Sequence, residues 1–535
     1  MSSAGRLSTD PRIGLAIASL HVVMGLLLYD PTLFSGGDNA GYMILGEALA
    51  SGQGYRDIYL PLGPLHTKYP PLYPLLLAPF TPLGSLQLLK LTSLILTTLA
   101  VWLSYRLADR LVGRGPAVVA TGLLALSPVL LEYSHYVLSE ALFVVLVLTA
   151  LLWIEQAAQG STGEDGRHGI TPALLLGLAA AGAAFLTRTA GLPLLAAAAL
   201  FFALERKPRR LALATAVASA SAGGWWLYQR WASAAPGQTV SQPTYLKEML
   251  LRNPYDPAVG SAGPGALAIR GIENLWSYVS EILPRAIAGG WSAVPGGEAV
   301  LTALGLAVAG LAFGGWVRRS MSRLGPAELF TVLYALMLAL WPVVWTDQRF
   351  LLPLLPLILA YAGSGASELG RRLSGGREGA RTPALATGAL AATVGIGAAI
   401  TAVVRTPDSV RCLAEYRAGA PCDPPAFASF YAAAEWAAVN TSPDAIAVSR
   451  KPRIFFWISG RRGDLYPYST DSRVVLEGMR RIGADYVVVD AISSTTSRYL
   501  IPALRENLPM FEIVYEGGEP PTFVLSFDPD PLAAD

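Results

Sequence analysis

The sequence predicts a polytopic α-helical membrane protein that ends in a soluble α/β domain. Of the 535 residues, 53% are hydrophobic and only 15% are charged, and the mean hydropathy is +0.44. This composition is typical of membrane proteins and not of soluble domains. Long apolar runs recur up to Val404, after which the composition changes to that of a soluble domain. We therefore expect a transmembrane domain over residues 1–404 and an α/β domain over residues 405–535.

The apolar segments that could cross the bilayer are the first elements to place. A spanning helix needs about 20 mostly apolar residues, and by this criterion we expect about eleven spans. In chain order they cover residues 13–29, 86–107, 117–131, 137–154, 172–187, 192–204, 211–228, 300–316, 327–345, 351–369 and 384–404. The first follows two arginines, as a signal peptide would, but Asp30-Pro31 offers no cleavage site, so we interpret it as an uncleaved span.

The distribution of Lys and Arg among the short loops predicts the orientation. One side carries nearly all of them, whereas the short loops on the other side hold only Arg188 and Arg349. Because cytoplasmic loops are enriched in Lys and Arg, we expect the N-terminus in the cytoplasm. The first outer loop (residues 30–85), the second large outer loop (residues 230–298) and the C-terminal domain are then extracytoplasmic, on the outer side of the cytoplasmic membrane of the cell.

Elements can also be predicted outside the spans. Residues 269–282 have apolar side chains at helical spacing, which predicts an amphipathic helix on the membrane interface, either as structural cover or as a substrate gate. In the C-terminal domain we expect helices over residues 427–439 and 474–482, and strands over residues 445–448, 486–489, 511–515 and 522–527. Cys412 and Cys422 lie in the segment leading into this domain, where a disulfide and two free thiols are both open.

The first outer loop is more polar than a connector between spans needs to be. It carries Asp38, Asp57, His66 and Lys68, and the proline- and aromatic-rich turn KYPPLYP at residues 68–74. Asp38 precedes a predicted helix over residues 39–50 and is well placed to cap it. Since ionisable groups near a bilayer are costly, we interpret this loop as the candidate active-site loop.

Other predicted outer loops add ionisable residues on the same side of the membrane. Glu140 stands at the outer start of the fourth span, Arg188 joins the fifth and sixth spans, and Arg349 follows the ninth. Each candidate also has a plainer interpretation. Glu140 is favoured by the helix dipole, Arg349 is an interfacial anchor, and Lys68 is a solvated loop charge.

Five stretches in order resemble one class of membrane enzyme. They are GGDNAGYMILGEALASGQGY and YPPLYPLLLAPF in the first loop, YVLSEALF at the fourth span, LTRTAGLP between the fifth and sixth, and QRFLLPLLPLIL at the tenth. Together they cover about residues 13–369 in order and topology. They resemble the GT-C integral-membrane glycosyltransferases of the bacterial aminoarabinose-transferase and protein O-mannosyltransferase-like (dolichyl-phosphate-mannose mannosyltransferase-like) families, which commonly end in an external soluble domain.

The resemblance implies two catalytic acids. Asp38 matches the essential acid of the first outer loop, although many relatives carry two adjacent acids where this chain has Asp38-Asn39. Glu140 matches a second acid at the outer end of the fourth span.

The resemblance also implies a substrate-binding set. Lys68, Arg188 and Arg349 are candidates for holding the donor phosphate, and His66 and Tyr69 complete the set. Tyr69, with Tyr59 and Tyr73, forms either a sugar platform or an aromatic belt. No cofactor is required, although His66 and His135 leave a divalent metal open as an alternative.

The implied reaction is an inverting transfer of a sugar from a polyprenyl-phosphate donor to an acceptor hydroxyl on the outer face of the membrane. Asp38 would remove the hydroxyl proton, and fixed cations would stabilise the leaving lipid phosphate. The acceptor, which could be a lipid, a glycan or a protein, stays open, and the net charge of +2 gives no reason to expect a nucleic acid. Two alternatives remain. One is a non-catalytic scaffold subunit, which Asn39 permits, and the other is a transporter or flippase for lipid-linked sugars.

Overall fold

The computed structural model describes residues 10–159, 169–235, 245–254, 259–374 and 382–529. The part up to Arg417 is helical. Its helices are α1 (Pro11–Leu27), α2 (Asp38–Ala50), α3 (Leu72–Leu77), α4 (Leu86–Val112), α5 (Arg114–Ala125), α6 (Pro128–Tyr133), α7 (Glu140–Gln159), α8 (Pro172–Thr187), α9 (Leu192–Leu204), α10 (Pro208–Ala218), α11 (Gly224–Ser233), α12 (Tyr245–Leu250), α13 (Pro264–Ser277), α14 (Leu283–Ala288), α15 (Gly297–Ser322), α16 (Pro326–Ala339), α17 (Leu355–Leu373) and α18 (Thr382–Arg417).

Every apolar segment predicted to span the membrane contains helix. Four helices of the described chain, namely α4, α7, α15 and the part of α18 from Thr387 onward, are long and apolar enough by themselves to cross a membrane. Several other apolar helices are shorter, so the number of about eleven spans stays a prediction. The third predicted segment divides into α5 and α6 because Ser127 precedes Pro128 and is extended, with φ −65° and ψ 131°.

The helix predicted over residues 269–282 is present and begins earlier than predicted, at Pro264. It forms α13 and continues through a π-helical turn, Tyr278–Ile282. Its apolar side chains, Ile272 and Trp276 among them, are exposed, whereas Asn274 is buried and donates to the carbonyl oxygens of Ala339 and Trp341 at 2.9 and 2.7 Å. The polar face of this helix therefore packs on the end of α16, and its apolar face points away from the protein.

The C-terminal part is a small α/β domain, and each element predicted in it is present. It comprises α19 (Pro425–Asn440), β1 (Ala447–Val448), α20 (Pro452–Ser459), α21 (Ser472–Ile482), β2 (Tyr486–Val489), α22 (Ile501–Glu506), β3 (Phe511–Gly517) and β4 (Thr522–Phe527). The sheet order is β1-β2-β4-β3, with β1 parallel to β2 and the other pairs antiparallel. The sequence prediction missed α22 and also α20, although Pro452 at the start of α20 and Gly460 after its end, at φ +70°, are the usual boundary residues of a helix.

Two features join the C-terminal domain to the rest of the protein. Helix α18 runs without interruption past Val404, and Cys412 at its end forms a disulfide with Cys422. Buried side chains of α19 and α20, Phe430 and Phe455 among them, belong to the same apolar core as the helical bundle. The composition change at residue 404 thus falls inside a helix, and the division into two domains at that point stays a prediction.

Candidate functional site

A cavity of about 920 Å³ lies where three parts of the chain meet. They are the first loop (residues 28–85, between α1 and α4), one end of the helical bundle, and the C-terminal domain. We call this space the central cavity. Its polar and aromatic lining includes Asp38, Tyr42, Tyr59, Lys68 and Tyr69 of the first loop, Arg188, Trp341, Trp345, Arg349 and Phe350 of the bundle, and Arg450, Lys451, Arg453, Asp464, Tyr466 and Arg481 of the C-terminal domain.

Asp38 does not cap α2. Gly37 is the N-cap residue, at φ +89°, a conformation that favours glycine, and Asp38 is the first residue of the helix. Its carboxylate oxygens are used elsewhere, since Oδ1 accepts from the Tyr69 hydroxyl at 2.9 Å and Oδ2 accepts from Nη1 of Arg349 at 3.1 Å. The interpretation of Asp38 as a plain helix cap is therefore wrong.

The electrostatic surroundings of Asp38 keep it ionised. The side chain is 35% exposed and lines the central cavity. Burial by itself raises the pKa of this carboxyl, but the positive charges of Arg349 and Arg453 and the hydrogen bond from Tyr69 outweigh burial and hold the pKa below its usual value. The group is thus a carboxylate at neutral pH.

Tyr69 connects Asp38 to a buried pair behind it. The backbone N–H of Tyr69 donates to Nε2 of His66 at 2.8 Å, so Nδ1 carries the ring proton and donates to Asp57 at 3.0 Å. His66 is completely buried and does not line the central cavity. His66 therefore positions Tyr69. It does not reach the cavity, so this geometry gives it no direct contact with a bound donor, which its place in the predicted substrate-binding set implied.

Glu140 also lies behind the cavity lining. It is 3% exposed, and its carboxylate pairs with Nη1 of Arg188 at 2.7 Å. The same guanidinium nitrogen donates to the hydroxyl of Ser139 at 2.9 Å, and that hydroxyl bonds Tyr42 at 2.9 Å. The main-chain angles of Arg188, φ −148° and ψ 133°, end α8 and send the side chain into the cavity. Glu140 therefore fixes a cation and does not itself face the cavity.

Lys68 and Arg349 complete the predicted cations. Nζ of Lys68 lies 3.3 Å from Glu248 of α12 and 5.5 Å from the ring centre of Tyr245. The guanidinium of Arg349 lies 4.7 Å from the ring centre of Phe350, and its Nε is buried with no hydrogen-bond partner in the described part of the chain. An Arg with an unused buried donor is suited to bind an oxyanion.

The main candidate site residue that sequence reasoning missed is Arg453. It belongs to α20, donates from Nη1 to the Tyr69 hydroxyl at 3.1 Å, and lies 5.4 and 5.6 Å from the ring centres of Tyr59 and Tyr69. The cluster SRKPR at residues 449–453 was the available signal. Tyr73, by contrast, is completely buried, so it is part of neither a sugar platform nor an aromatic belt.

His66 and His135 have separate partners. Nε2 of His135 bonds the carbonyl oxygen of Gly25 at 2.7 Å, and both nitrogens of His66 are engaged as described above. In residues 10–159, 169–235, 245–254, 259–374 and 382–529, no group of three or more His, Cys, Asp or Glu side chains is arranged to hold a metal ion.

Comparisons with known proteins agree with this architecture. The family model of dolichyl-phosphate-mannose-protein mannosyltransferases matches residues 68–226. No sequence among the curated proteins matches the chain significantly. Among solved structures, ArnT from Cupriavidus metallidurans bound to undecaprenyl phosphate has a TM-score of 0.56 at 14% identity, over 97% of this chain and 98% of that one. The archaeal oligosaccharyltransferase AglB from Archaeoglobus fulgidus, in complex with an inhibitory peptide and a dolichol-phosphate, has a TM-score of 0.56 at 15% identity, over 89% and 69% of the two chains.

The structural likenesses extend over most of the chain, whereas the family model matches less than a third of it. The protein has the fold of the GT-C membrane glycosyltransferases, which confirms the resemblance predicted from the sequence. Four helices of the described residues are long and apolar enough to cross a membrane, which agrees with this fold.

Proposed function

We propose that the protein is an inverting glycosyltransferase that moves a sugar from a polyprenyl-phosphate donor to an acceptor hydroxyl. The observation that carries the proposal is the half-buried carboxylate of Asp38, which shares one cavity with Lys68, Arg188 and Arg349. A carboxylate beside several fixed cations suits a reaction in which one group accepts a proton and others stabilise a departing phosphate. The family match, and neighbours whose structures contain undecaprenyl phosphate or dolichol-phosphate, support the same class of reaction.

In the proposed step the acceptor oxygen attacks the anomeric carbon of the sugar. The bond between that carbon and the phosphate oxygen breaks, its electron pair leaves with the lipid phosphate, and the hydroxyl proton passes to Asp38. Because one displacement occurs, the anomeric configuration inverts. Arg349 lines the cavity and binds the phosphate through guanidinium N–H groups other than the one that Asp38 accepts from, and Arg188 and Lys68 add positive charge.

Because Asp38 and Arg349 form an ion pair, binding of the donor phosphate also changes the basicity of Asp38. While the cavity holds no donor, Arg349 stabilises the Asp38 carboxylate and lowers its basicity. A phosphate that draws the guanidinium towards itself weakens this pair, so the pKa of Asp38 rises and the carboxylate becomes a better base. The base is therefore activated only when the leaving group is in place.

The proposal places the reaction on the outer face of the cytoplasmic membrane, with the C-terminal domain outside. The asymmetric distribution of Lys and Arg supports this orientation. The scaffold alternative depended on Asn39 in place of a second acid. Asn39 is 1% exposed and does not line the central cavity, so an acid in that position would not add a carboxylate to the lining.

The test is sugar transfer by Asp38→Asn in membranes supplied with a polyprenyl-phosphate sugar. We expect kcat to fall by about 10²- to 10⁴-fold, because a positioned base contributes about that much. Glu47→Gln is the matched control, since Glu47 lies on the same helix outside the cavity lining and should leave transfer unchanged. Normal transfer by a normally expressed Asp38→Asn protein would exclude Asp38 as the base.

A further inference from the structure

The C-terminal domain supplies a second group of cations to the central cavity. Arg450, Lys451 and Arg453 stand between β1 and the first turn of α20, and Arg481 comes from the last turn of α21. This segment contacts the first loop at two points. Lys451 donates to the carbonyl oxygen of Gly36 at 3.4 Å, and Arg453 donates to Tyr69.

The cations of the cavity divide into two classes by their partners. Those of the first loop and the bundle are paired, as Lys68 is with Glu248, Arg188 with Glu140 and Arg349 with Asp38. In the C-terminal domain, Arg450, Lys451 and Arg481 have no carboxylate oxygen within 4.0 Å among the residues that the structure describes. Arg453 also lacks a carboxylate partner but is held by the Tyr69 hydroxyl, so we call only Arg450, Lys451 and Arg481 the unpaired cations.

Two of the unpaired cations are partly buried. The Nε of Arg450 is buried without a hydrogen-bond partner in the described ranges, and the guanidinium lies 5.6 Å from the ring centre of Tyr468. Burial, and then the positive charge of Arg450, lower the pKa of Lys451. The buried carboxyl of Asp490 acts on both from more than 4.0 Å away, and burial raises its own pKa to about 6. Positive charge held in this way is costly unless an anion compensates it.

We propose that Arg450, Lys451 and Arg481 bind an anionic group of the acceptor, either a phosphate or a carboxylate. Arginine binds both groups through two parallel hydrogen bonds, and lysine adds a point charge. The donor has one phosphate, which Lys68, Arg188 and Arg349 are proposed to bind, so the second set of cations is available to a second anion. The acceptor role rests on the proposed function, whereas binding of an anion by these residues does not.

The first arm of the test measures anion binding without catalysis. Purified full-length protein is titrated with inorganic phosphate while its tryptophan fluorescence, to which Trp341 and Trp345 of the cavity lining contribute, is recorded. The double variant Arg450→Gln/Lys451→Gln should bind phosphate at least tenfold more weakly at one site, and Arg450→Lys/Lys451→Arg should retain binding. Lys68→Gln should keep this site, because it alters only the other set.

Arg505→Gln is the matched control, since Arg505 is an exposed cation of the same domain that does not line the cavity. Phosphate affinities that are equal in the wild type and in Arg450→Gln/Lys451→Gln would overturn the proposal, and so would an absence of phosphate binding in the wild type.

The second arm identifies the substrate that carries the anion. Envelope extracts of the source cell are separated by anion exchange into anionic and neutral fractions and offered as acceptors. Transfer should be confined to the anionic fraction, and Arg450→Gln/Lys451→Gln should raise the KM of that acceptor at least tenfold without changing the donor KM. Transfer to neutral acceptors alone, or a rise in the donor KM instead, would overturn the proposal. If the wild type transfers no sugar, the proposed function fails, while the phosphate titration still decides whether these residues bind an anion.

Discussion

Asp38 owes its properties as a candidate base to residues from distant parts of the chain. Its carboxylate is held between Tyr69 and Arg349, and Arg453 binds the same tyrosine from the other side. Burial, and then the negative charge of Asp38, raise the pKa of Tyr69 well above its usual value, so the hydroxyl stays protonated and donates to the carboxylate. The pH dependence of the reaction should reflect this arrangement.

The first prediction at this scale concerns Arg453→Gln. Asp38 must be ionised to accept a proton, so activity is present above its pKa and is lost as the pH falls through it. Arg453 helps to hold that pKa down, and its removal raises the pKa. We expect the acidic limb of the kcat/KM profile to move to higher pH. A decrease in activity with no movement of this limb would mean that Arg453 acts only on the packing of the domain, and Arg505→Gln should leave the profile unchanged.

The second prediction concerns His66. His66→Phe leaves the Asp57 carboxylate and the Tyr69 N–H buried without their partner, which should cost about 3 kcal/mol of stability. Thermal unfolding of the purified protein in detergent measures the loss. His66→Gln, which keeps polar atoms at this place, should lose less and should leave the donor KM near that of the wild type. An increase in donor KM as large as that of Lys68→Gln would instead make His66 a phosphate ligand.

At the scale of elements, the approach of α20 to α2 decides whether the site forms. A Cβ atom on Gly41 of α2 would lie 3.2 Å from Nη1 and 3.3 Å from Cδ of Arg453, which is tighter than ordinary contact. The glycine therefore makes room for the arginine that reaches Tyr69. A side chain here would push the guanidinium away without altering any charged residue.

We accordingly expect Gly41→Ala, and more strongly Gly41→Val, to reproduce the displaced acidic limb of Arg453→Gln. The matched control is Gly122→Ala in α5, where a Cβ meets no atom within 4 Å. Replacing a helical glycine by alanine favours the helix by about 1 kcal/mol, and this effect is the same in the variant and in its control. The pH profile of kcat/KM is the measurement, and a wild-type profile for Gly41→Val would contradict this account of the packing.

At the scale of the whole molecule, the central cavity exists only because the C-terminal domain is docked on the first loop. The apolar core is continuous between them, and the disulfide between Cys412 and Cys422 closes the turn that leads from α18 into α19. The two cysteines are 10 residues apart, so the crosslink restricts the conformational freedom of only a short loop in the unfolded chain.

Replacing both cysteines by alanine should lower the stability of the docked domain by about 2–3 kcal/mol, the value expected for a loop of this length. Thermal unfolding in detergent measures the change, and a reducing agent should have a similar effect on the wild type but none on the double variant. Equal unfolding temperatures for the wild type and the double variant would show that the disulfide does not secure the domain.

The sequence by itself determined the class of the protein and most of its elements. Apolar runs predict helices because backbone polar groups in an apolar environment must be bonded within their own segment. Alternation of short strand and helix signals likewise sufficed for the C-terminal domain, except for α20 and α22. Asp38, Lys68, Arg188 and Arg349 could be named because ionisable residues in loops on one side of the membrane mark a candidate site, and the family resemblance assigned them their expected roles.

Only the tertiary structure decided how these residues work together. Arg349 is 311 positions from Asp38 and Arg453 is 384 positions from Tyr69, so no local pattern carries either contact. The burial of Glu140 and His66 behind the cavity lining likewise depends on which helices pack together. A sequence records the charge of a side chain, but its partner and its exposure follow from the packing of elements that are far apart in the chain.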